Sequence, residues 1–343
     1  MPEKGVPATL DEMRAVVAQF PGPDRDAAEA TQAREAQLTK PAGALGRLEE
    51  ITLWMATWQG KHPPACVHPR TAVFAGNHGV ASLGVSAYPA EVTVQMVKNF
   101  VDGGAAVNQL CRAVDADLRV YEMALDEPTA DFTLGPAMSE EECATAIAYG
   151  MMAVEPGIDL LAVGEMGIAN TTAAAALAAA LFGGDAARWV GPGTGIAGGA
   201  LARKIAVVEQ GVALHQPAAK DGLDLLRRLG GREFAAMVGA IIAARMARVP
   251  VLLDGYASSA AAAALGALDA RALDHCLVAH CSAEPGHRLL LEHLGKPPLV
   301  DFGMRLGEGS GATLAIAIVK AALACHNGMA TFAEAGVSGK EPS

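Results

Sequence analysis

Aromatic side chains are scarce in this chain of 343 residues, at 4% of the sequence. No platform for stacking nucleic-acid bases is evident, and close packing of alanine and glycine must supply much of the core. Cysteine is sparse as well: Cys66, Cys111, Cys143, Cys276, Cys281 and Cys325 include no CxxC pair. Free thiols in a reducing compartment suit that scatter better than a disulfide framework. Basic charge is outweighed, with a formal net charge of -11, which opposes non-specific attachment to nucleic acid or an anionic membrane. Small-molecule partners are expected instead. Apolar runs such as Ala173 to Phe182 fall short of the ~20 residues that span a bilayer and read as buried helices. Met1-Pro2-Glu3-Lys4-Gly5 shows no basic segment leading into an apolar one, so no signal peptide is evident and a cytoplasmic protein is expected.

Several catalytic signatures are missing too. There is no GxSxG elbow, no GxxxxGK[ST] phosphate loop, and no pair of acids followed by Thr-Gly of the kind that binds pyrophosphorylated ribose. His280-Cys281-Ser282-Ala283-Glu284-Pro285-Gly286-His287 offers metal-ligand side chains but matches no zinc spacing. Neither a metal nor another cofactor is expected.

What the sequence does contain is an alternation. Thr9 to Gly60 is helical in pattern, with a later stretch of similar period from Leu45 to Trp58. Beyond Pro63-Pro64 come short β-branched runs at Thr71–Ala75, Leu118–Met123, Leu160–Val163, Val249–Leu253, Cys276–Ala279 and Leu299–Phe302, most of them separated by helical stretches. This predicts an α/β fold with a mostly parallel sheet and helices on both faces. Asn77-His78, Glu165, Asp254, His280 with Ser282, and Arg305 leading to Glu308 follow the runs. In such sheets ligands sit beyond the carboxyl ends of the strands, so these residues are expected to converge on one cleft. Taken singly, each also suits a polar loop.

The most informative stretch is Arg305-Leu306-Gly307-Glu308-Gly309-Ser310-Gly311-Ala312. A glycine-rich turn entering a helix favours anions, yet an acid in the turn would repel phosphate. The bare backbone instead lets a flat substrate approach while Glu308 takes a proton from it. A capping loop with a solvated Glu fits the same spacing. Gly164-Glu165-Met166-Gly167-Ile168-Ala169-Asn170-Thr171-Thr172 takes a strand into an alanine-rich helix. Glu165 there either stabilises positive charge on a sugar ring or serves the helix dipole.

Gly193, Gly195 and Gly198 spell GxGxxG after Trp189-Val190, but Glu209 comes too early and Asp221 too late to hold a dinucleotide ribose. A mononucleotide phosphate loop is favoured, with Lys204 either reaching an anion or standing on an exposed helix face. Ser282 either donates to phosphate or caps the next helix. Asn77-His78 suits a ligand contact or a strand-end network. An NAD-dependent oxidoreductase and a non-catalytic nucleotide-binding protein are the rival readings, and neither explains Glu308 in its glycine frame.

Together these blocks, with Lys40-Pro41-Ala42-Gly43-Ala44-Leu45-Gly46-Arg47-Leu48-Glu49, Phe74 to Val80, Gly84 to Asn108, Ala202-Arg203-Lys204 and Leu252-Leu253-Asp254-Gly255, resemble the nicotinate-nucleotide:dimethylbenzimidazole phosphoribosyltransferases of cobalamin lower-ligand synthesis. The strings RLGEGSGA and GEMGIANTT are its most specific parts. The resemblance implies that Glu308 is a general base for a benzimidazole that attacks nicotinate mononucleotide with inversion. It puts Glu165 near the ribose and Lys204 near the nicotinate nucleotide. Gly193, Thr194, Gly195 and Ser282 would hold the phosphate, and Asp254 would support the site. Tyr88, Gln95 and Met96 would form the benzimidazole slot, with Gly167, Leu306 and Gly307 beside the substrates.

The resemblance also implies a Rossmann-like three-layer domain over residues 63–324 and a small helical domain built from residues 1–62, with the tail 325–343 packed beside it, in a homodimer. Two departures stand out. Position 77 is Asn where many relatives have Asp, and Pro192 and Ala197-Gly198 replace polar or charged residues, leaving phosphate contacts in that loop to backbone N–H groups.

Overall fold

The computed structural model describes residues 8–338; the stretch Met1 to Gly5 read above lies outside them. Five strands form one sheet: β1 (Pro69–Ala75), β2 (Asp117–Glu122), β3 (Leu160–Met166), β4 (Val251–Leu253) and β5 (Cys276–Val278). Their order is β2-β1-β3-β4-β5, and every pairing is parallel. β1 is buried along its whole length, as a strand covered on both faces must be. β2, at one edge, keeps Asp117, Arg119 and Glu122 at the surface, where charge deters pairing with another chain.

Alternate residues of one strand feed two different layers. Leu161 and Val163 join a large core built with the helices Glu140–Met151, Asn170–Phe182, Arg232–Met246 and Tyr256–Gly266. Leu160 and Ala162 join a smaller one with Arg47–Gln59 and Ser310–Gly328. Alanine fills much of the first, and two helices there close to backbone contact: a Cβ on Gly150 would come 1.9 Å from the Ala236 carbonyl oxygen. Helix Ser310–Gly328 is long and apolar enough to cross a membrane by composition, but half of it is buried against Arg47–Gln59 and the sheet.

The sixth run, Leu299–Phe302, is not a strand. It makes a single bridge, Val300 to His280. Pro297 and Pro298 before it supply no N–H, and Gly303 at φ +67 turns the chain away. β4 likewise begins two residues late, because Val249 N–H bonds back to Ala244 O and Pro250 has no donor. The helical reading of Thr9 to Gly60 resolves into Leu10–Val17, Arg25–Glu35 and Arg47–Gln59. The first packs into the large core through Leu10, Met13 and Val17. The second meets the C-terminal segment, where Thr39 N–H donates to Ala330 O, Phe332 N–H to Gln37 O, and His326 Nδ1 lies 2.5 Å from Glu35 Oε2.

Candidate active site

A cleft of about 760 Å³ opens beyond the carboxyl ends of β1, β3, β4 and β5. Its floor is made by two turns in direct contact. β3 ends at Met166, and after Gly167-Ile168 the backbone passes through a left-handed Ala169 (φ +74) into Asn170–Phe182. Beside it Gly307, Glu308 and Gly309 adopt φ of +80, +62 and +72 in succession before Ser310–Gly328 begins. The left-handed region is unfavourable for a residue with a Cβ, so Glu308 is held there by its surroundings. Its N–H donates to Glu165 O at 3.1 Å, and Ser310 donates to Gly307 O through both N–H and Oγ. A Cβ on Gly164 would stand 2.2 Å from Gly309 N, so β3 and this turn meet backbone to backbone.

Asp254, one residue past β4, fastens the same turn. Its Oδ2 accepts from Gly309 N–H at 3.2 Å and its Oδ1 from Ala312 N–H at 2.8 Å, capping the helix from a distant element. His280 Nε2 stands 3.7 Å from Oδ1, with neither ring nitrogen hydrogen-bonded. Burial raises the Asp254 carboxyl, against the pull of His280 and the backbone donors.

Glu308 is 5% exposed, lines the cleft and makes no side-chain hydrogen bond among the described residues. Burial, with the Asp254 carboxylate acting in the same sense, pushes its carboxyl up to about 7. Glu165 is half-buried at the foot of the cleft and accepts from Asn170 Nδ2. Burial, then Asp254 and Glu233, push it up to about 8, with Asn170 opposing. Two acids tuned into the neutral range on one floor are the mark of a site that moves protons or stabilises positive charge.

The other wall is the Gly191–Gly198 loop. It follows the short helix Ala186–Trp189 rather than a strand, so it lacks the strand–turn–helix setting of a dinucleotide fingerprint. Gly193 N–H donates to Glu284 Oε1 at 2.9 Å and Gly195 N–H to Pro192 O at 2.9 Å. Those two expected phosphate donors are therefore engaged within the protein. Lys204 is fully buried behind the loop, donating to Thr171 Oγ1 at 2.8 Å and Gly191 O at 3.0 Å. Burial lowers its ammonium to about 8, with Glu284 opposing, and burial raises Glu284 in turn. Thr194 reaches across to the segment before Tyr88, where its Oγ1 meets Ser86 Oγ at 2.9 Å and Ala87 N–H at 2.8 Å.

Of the residues expected at the site, Glu308, Glu165, Tyr88, Met96, Gly167, Gly193, Thr194, Ser282, Leu306 and Gly307 all line the cleft. Asp254 and Lys204 stand behind it, Gly195 is exposed on the outer side of the loop, and Gln95 is exposed on Glu91–Asp102. Arg305 and His280, expected at the cleft from their place after the β-branched runs, also line it, as do Glu284 and Tyr256, to which the sequence assigned no role. Arg305 sits inside the RLGEGSGA string and donates to Gly193 O at 3.0 Å, so its motif was the available signal. Asn77 and His78 prove to be a strand-end network: Asn77 Nδ2 donates to Leu125 O and His78 pairs with Glu233. Among the described residues no group of three or more His, Cys, Asp or Glu side chains is placed to hold a metal ion.

A family model described as Phosphoribosyltransferase matches residues 20–337 of this chain. The nicotinate-nucleotide–dimethylbenzimidazole phosphoribosyltransferase of Rhizobium meliloti is 58% identical over 341 residues, 99% of this chain and all of that one. The protein of the same name from Brucella anthropi is 57% identical over the same span. The crystal structure of CobT from Thermus thermophilus superposes with a TM-score of 0.86 at 41% identity, covering 91% of this chain and 99% of the other. The chain belongs to this family of nicotinate-nucleotide–dimethylbenzimidazole phosphoribosyltransferases.

Proposed function

We propose that this protein transfers the phosphoribosyl group of nicotinate mononucleotide to 5,6-dimethylbenzimidazole, giving α-ribazole 5′-phosphate and nicotinate for assembly of the cobalamin nucleotide loop. The observation that carries the reading is Glu308, an unpartnered carboxylate set into the cleft by a left-handed turn and pushed up to about 7. A base of that strength takes the ring N–H proton of the acceptor as its other nitrogen attacks the anomeric carbon. The glycosidic electron pair leaves with the pyridinium nitrogen, which becomes neutral, so the donor carries its own activation. Attack from the face opposite the leaving group inverts β to α.

Glu165 faces the ribose and offsets charge developing there. Thr194 and Ser282 offer hydroxyls to the phosphate, and Gly193 and Gly195 join them once their N–H groups exchange Glu284 and Pro192 for the ligand. Lys204 holds the loop from behind. Tyr88 and Met96 border the acceptor slot with Gly167, Leu306 and Gly307, and Gln95 serves from the outer rim. The same reading takes the protein to be a cytoplasmic homodimer whose terminal segments form a smaller helical unit. Contacts between Arg25–Glu35 and the 327–332 segment support the last point, and the exposed Tyr88, Phe302 and Leu306 support pairing.

Incubation of the purified protein with both substrates, followed by chromatography for nicotinate and α-ribazole phosphate, tests the reading. Both products should appear and both should vanish with Glu308→Ala. Tight NAD binding with hydride transfer, and no nicotinate release, would establish the oxidoreductase instead.

A further inference from the structure

Glu165 stands over a second acid that the transfer does not use. Glu233, in Arg232–Met246, has no exposed surface, and its Oε1 lies 2.5 Å from Nε2 of the equally buried His78. Its Oε2 has no partner, and neither has His78 Nδ1. Three stretches of backbone are cut back to make room. A Cβ on Gly231 would come 2.3 Å from Glu233 Oε2, one on Gly76 2.5 Å from the same oxygen, and one on Gly167 3.4 Å from Oε1. Gly76 and Gly167 are the residues directly after β1 and β3, and Gly76 N–H donates to Met166 O at 2.9 Å. The carboxylate is thus wedged beneath the joined strand ends on which Glu165 stands.

Around Glu165 the acids are Glu233 from this helix, Asp254 from the end of β4 and Glu308 from the adjoining turn; its one hydrogen-bond donor is the neutral Asn170. His280 stands with Asp254, and His78 with Glu233. His78 and Glu233 form one buried hydrogen-bonded pair, so the polarity of the imidazole offsets part of the carboxylate's charge. The acidic end of the His78–Glu233 unit is the one that acts on Glu165, and the imidazole limits how much negative charge that end presents.

We propose that His78 and Glu233 are positioning residues: the buried pair beneath Gly76 and Gly167 sets the charge that Glu165 presents to the ribosyl group. The proposal rests on the transferase reading of the cleft. Removing the carboxylate relieves Glu165 of a like charge, whereas removing the imidazole leaves that charge uncompensated. The two halves of one pair therefore act in opposite directions, which damage to packing would not produce.

The test is an infrared titration of the Glu165 carboxyl in the full chain, its band identified by loss in Glu165→Gln. Glu233→Gln should lower the midpoint by about one pH unit, the smaller end of what a nearby charge exerts. His78→Gln should raise it by a similar amount. The double variant should follow Glu233→Gln, because no charge is left for the imidazole to offset. The corresponding limb of kcat/KM for nicotinate release should move with the same signs. Midpoints that stay put, or single variants that shift the same way, would overturn the proposal whatever rate is lost. If His78→Gln does not fold, the direction of the shift in Glu233→Gln decides. The titration needs no turnover, so an inactive wild type would count against the transferase reading and leave this result intact.

Discussion

The Asp254 carboxylate receives Gly309 N–H at 3.2 Å and Ala312 N–H at 2.8 Å, gripping the helix entrance immediately after Glu308. One group thereby fixes the place of Glu308 and, beside the larger effect of burial, raises its affinity for a proton through its charge. Asp254→Asn separates the two roles. With one acceptor oxygen for two donors, the variant should lose about 1–3 kcal/mol of stability in urea unfolding. Without the charge, the acidic limb of its kcat/KM profile should lie at lower pH than that of wild type, because Asp254 no longer raises Glu308.

Replacing Glu308 should divide activity from stability. Glu308→Gln is expected to lower kcat by about 10²–10⁴-fold, the range for loss of a general base. Glu308→Gly should be equally inactive yet about 1 kcal/mol more stable, because glycine meets φ +62 without the penalty a Cβ incurs. Denaturant unfolding of the two variants beside wild type checks this.

Stability should fall as pH rises from about 6.5 to about 8. Glu308 and Glu165 bind protons more tightly folded, at about 7 and about 8, than the 4.5 of a free glutamate. These two groups therefore hold more protons in the folded chain across that window, and their contribution, fully present below 4.5, is lost as pH climbs through the folded values; below about 6.5 it is offset by His275 and His287, pushed down to about 3 by burial, whose imidazoles take up protons only on unfolding. Asp221 and Asp224, held low by arginine partners, titrate beneath the window, and Lys204 acts only above about 8. Thermal midpoints of wild type should decline across it, and those of Glu165→Gln/Glu308→Gln should decline less.

The bridge from Thr194 to Ser86 and Ala87 joins the two walls of the cleft at its mouth. Thr194→Val keeps the shape and removes the acceptor. Loss of about 1 kcal/mol of bridging should raise KM roughly fivefold for at least one substrate while kcat stays within about twofold, as steady-state kinetics with each substrate varied would show.

The layers of this fold and the floor of its cleft were legible in the sequence because each depends on near neighbours in the chain. β-branched runs spaced by helical ones give a parallel sheet, and Gly307-Glu308-Gly309 writes its own turn. Leu299–Phe302 misled because composition alone cannot show that Pro297-Pro298 and Gly303 leave it only one bridge. The engagement of the loop donors was hidden for another reason: Gly193 N–H bonds Glu284, 91 positions away. The pairing of His78 with Glu233 spans 155 positions, and no local pattern records it. Lys204 read from sequence as an anion contact or an exposed helix residue, and the exposed alternative fails because its helix turns it inward against Thr171.

The contact of Gly164 with Gly309 leaves no side chain between β3 and the turn that bears Glu308. Such a joint has no side chain to repack, so the spacing of the Glu165 and Glu308 backbones is set by direct main-chain contact and by the Glu308 N–H bond to Glu165 O. An effort to breed acceptors of different width into this scaffold would find its adjustable material at the rim, in Tyr88, Met96 and Leu306, and a fixed platform beneath.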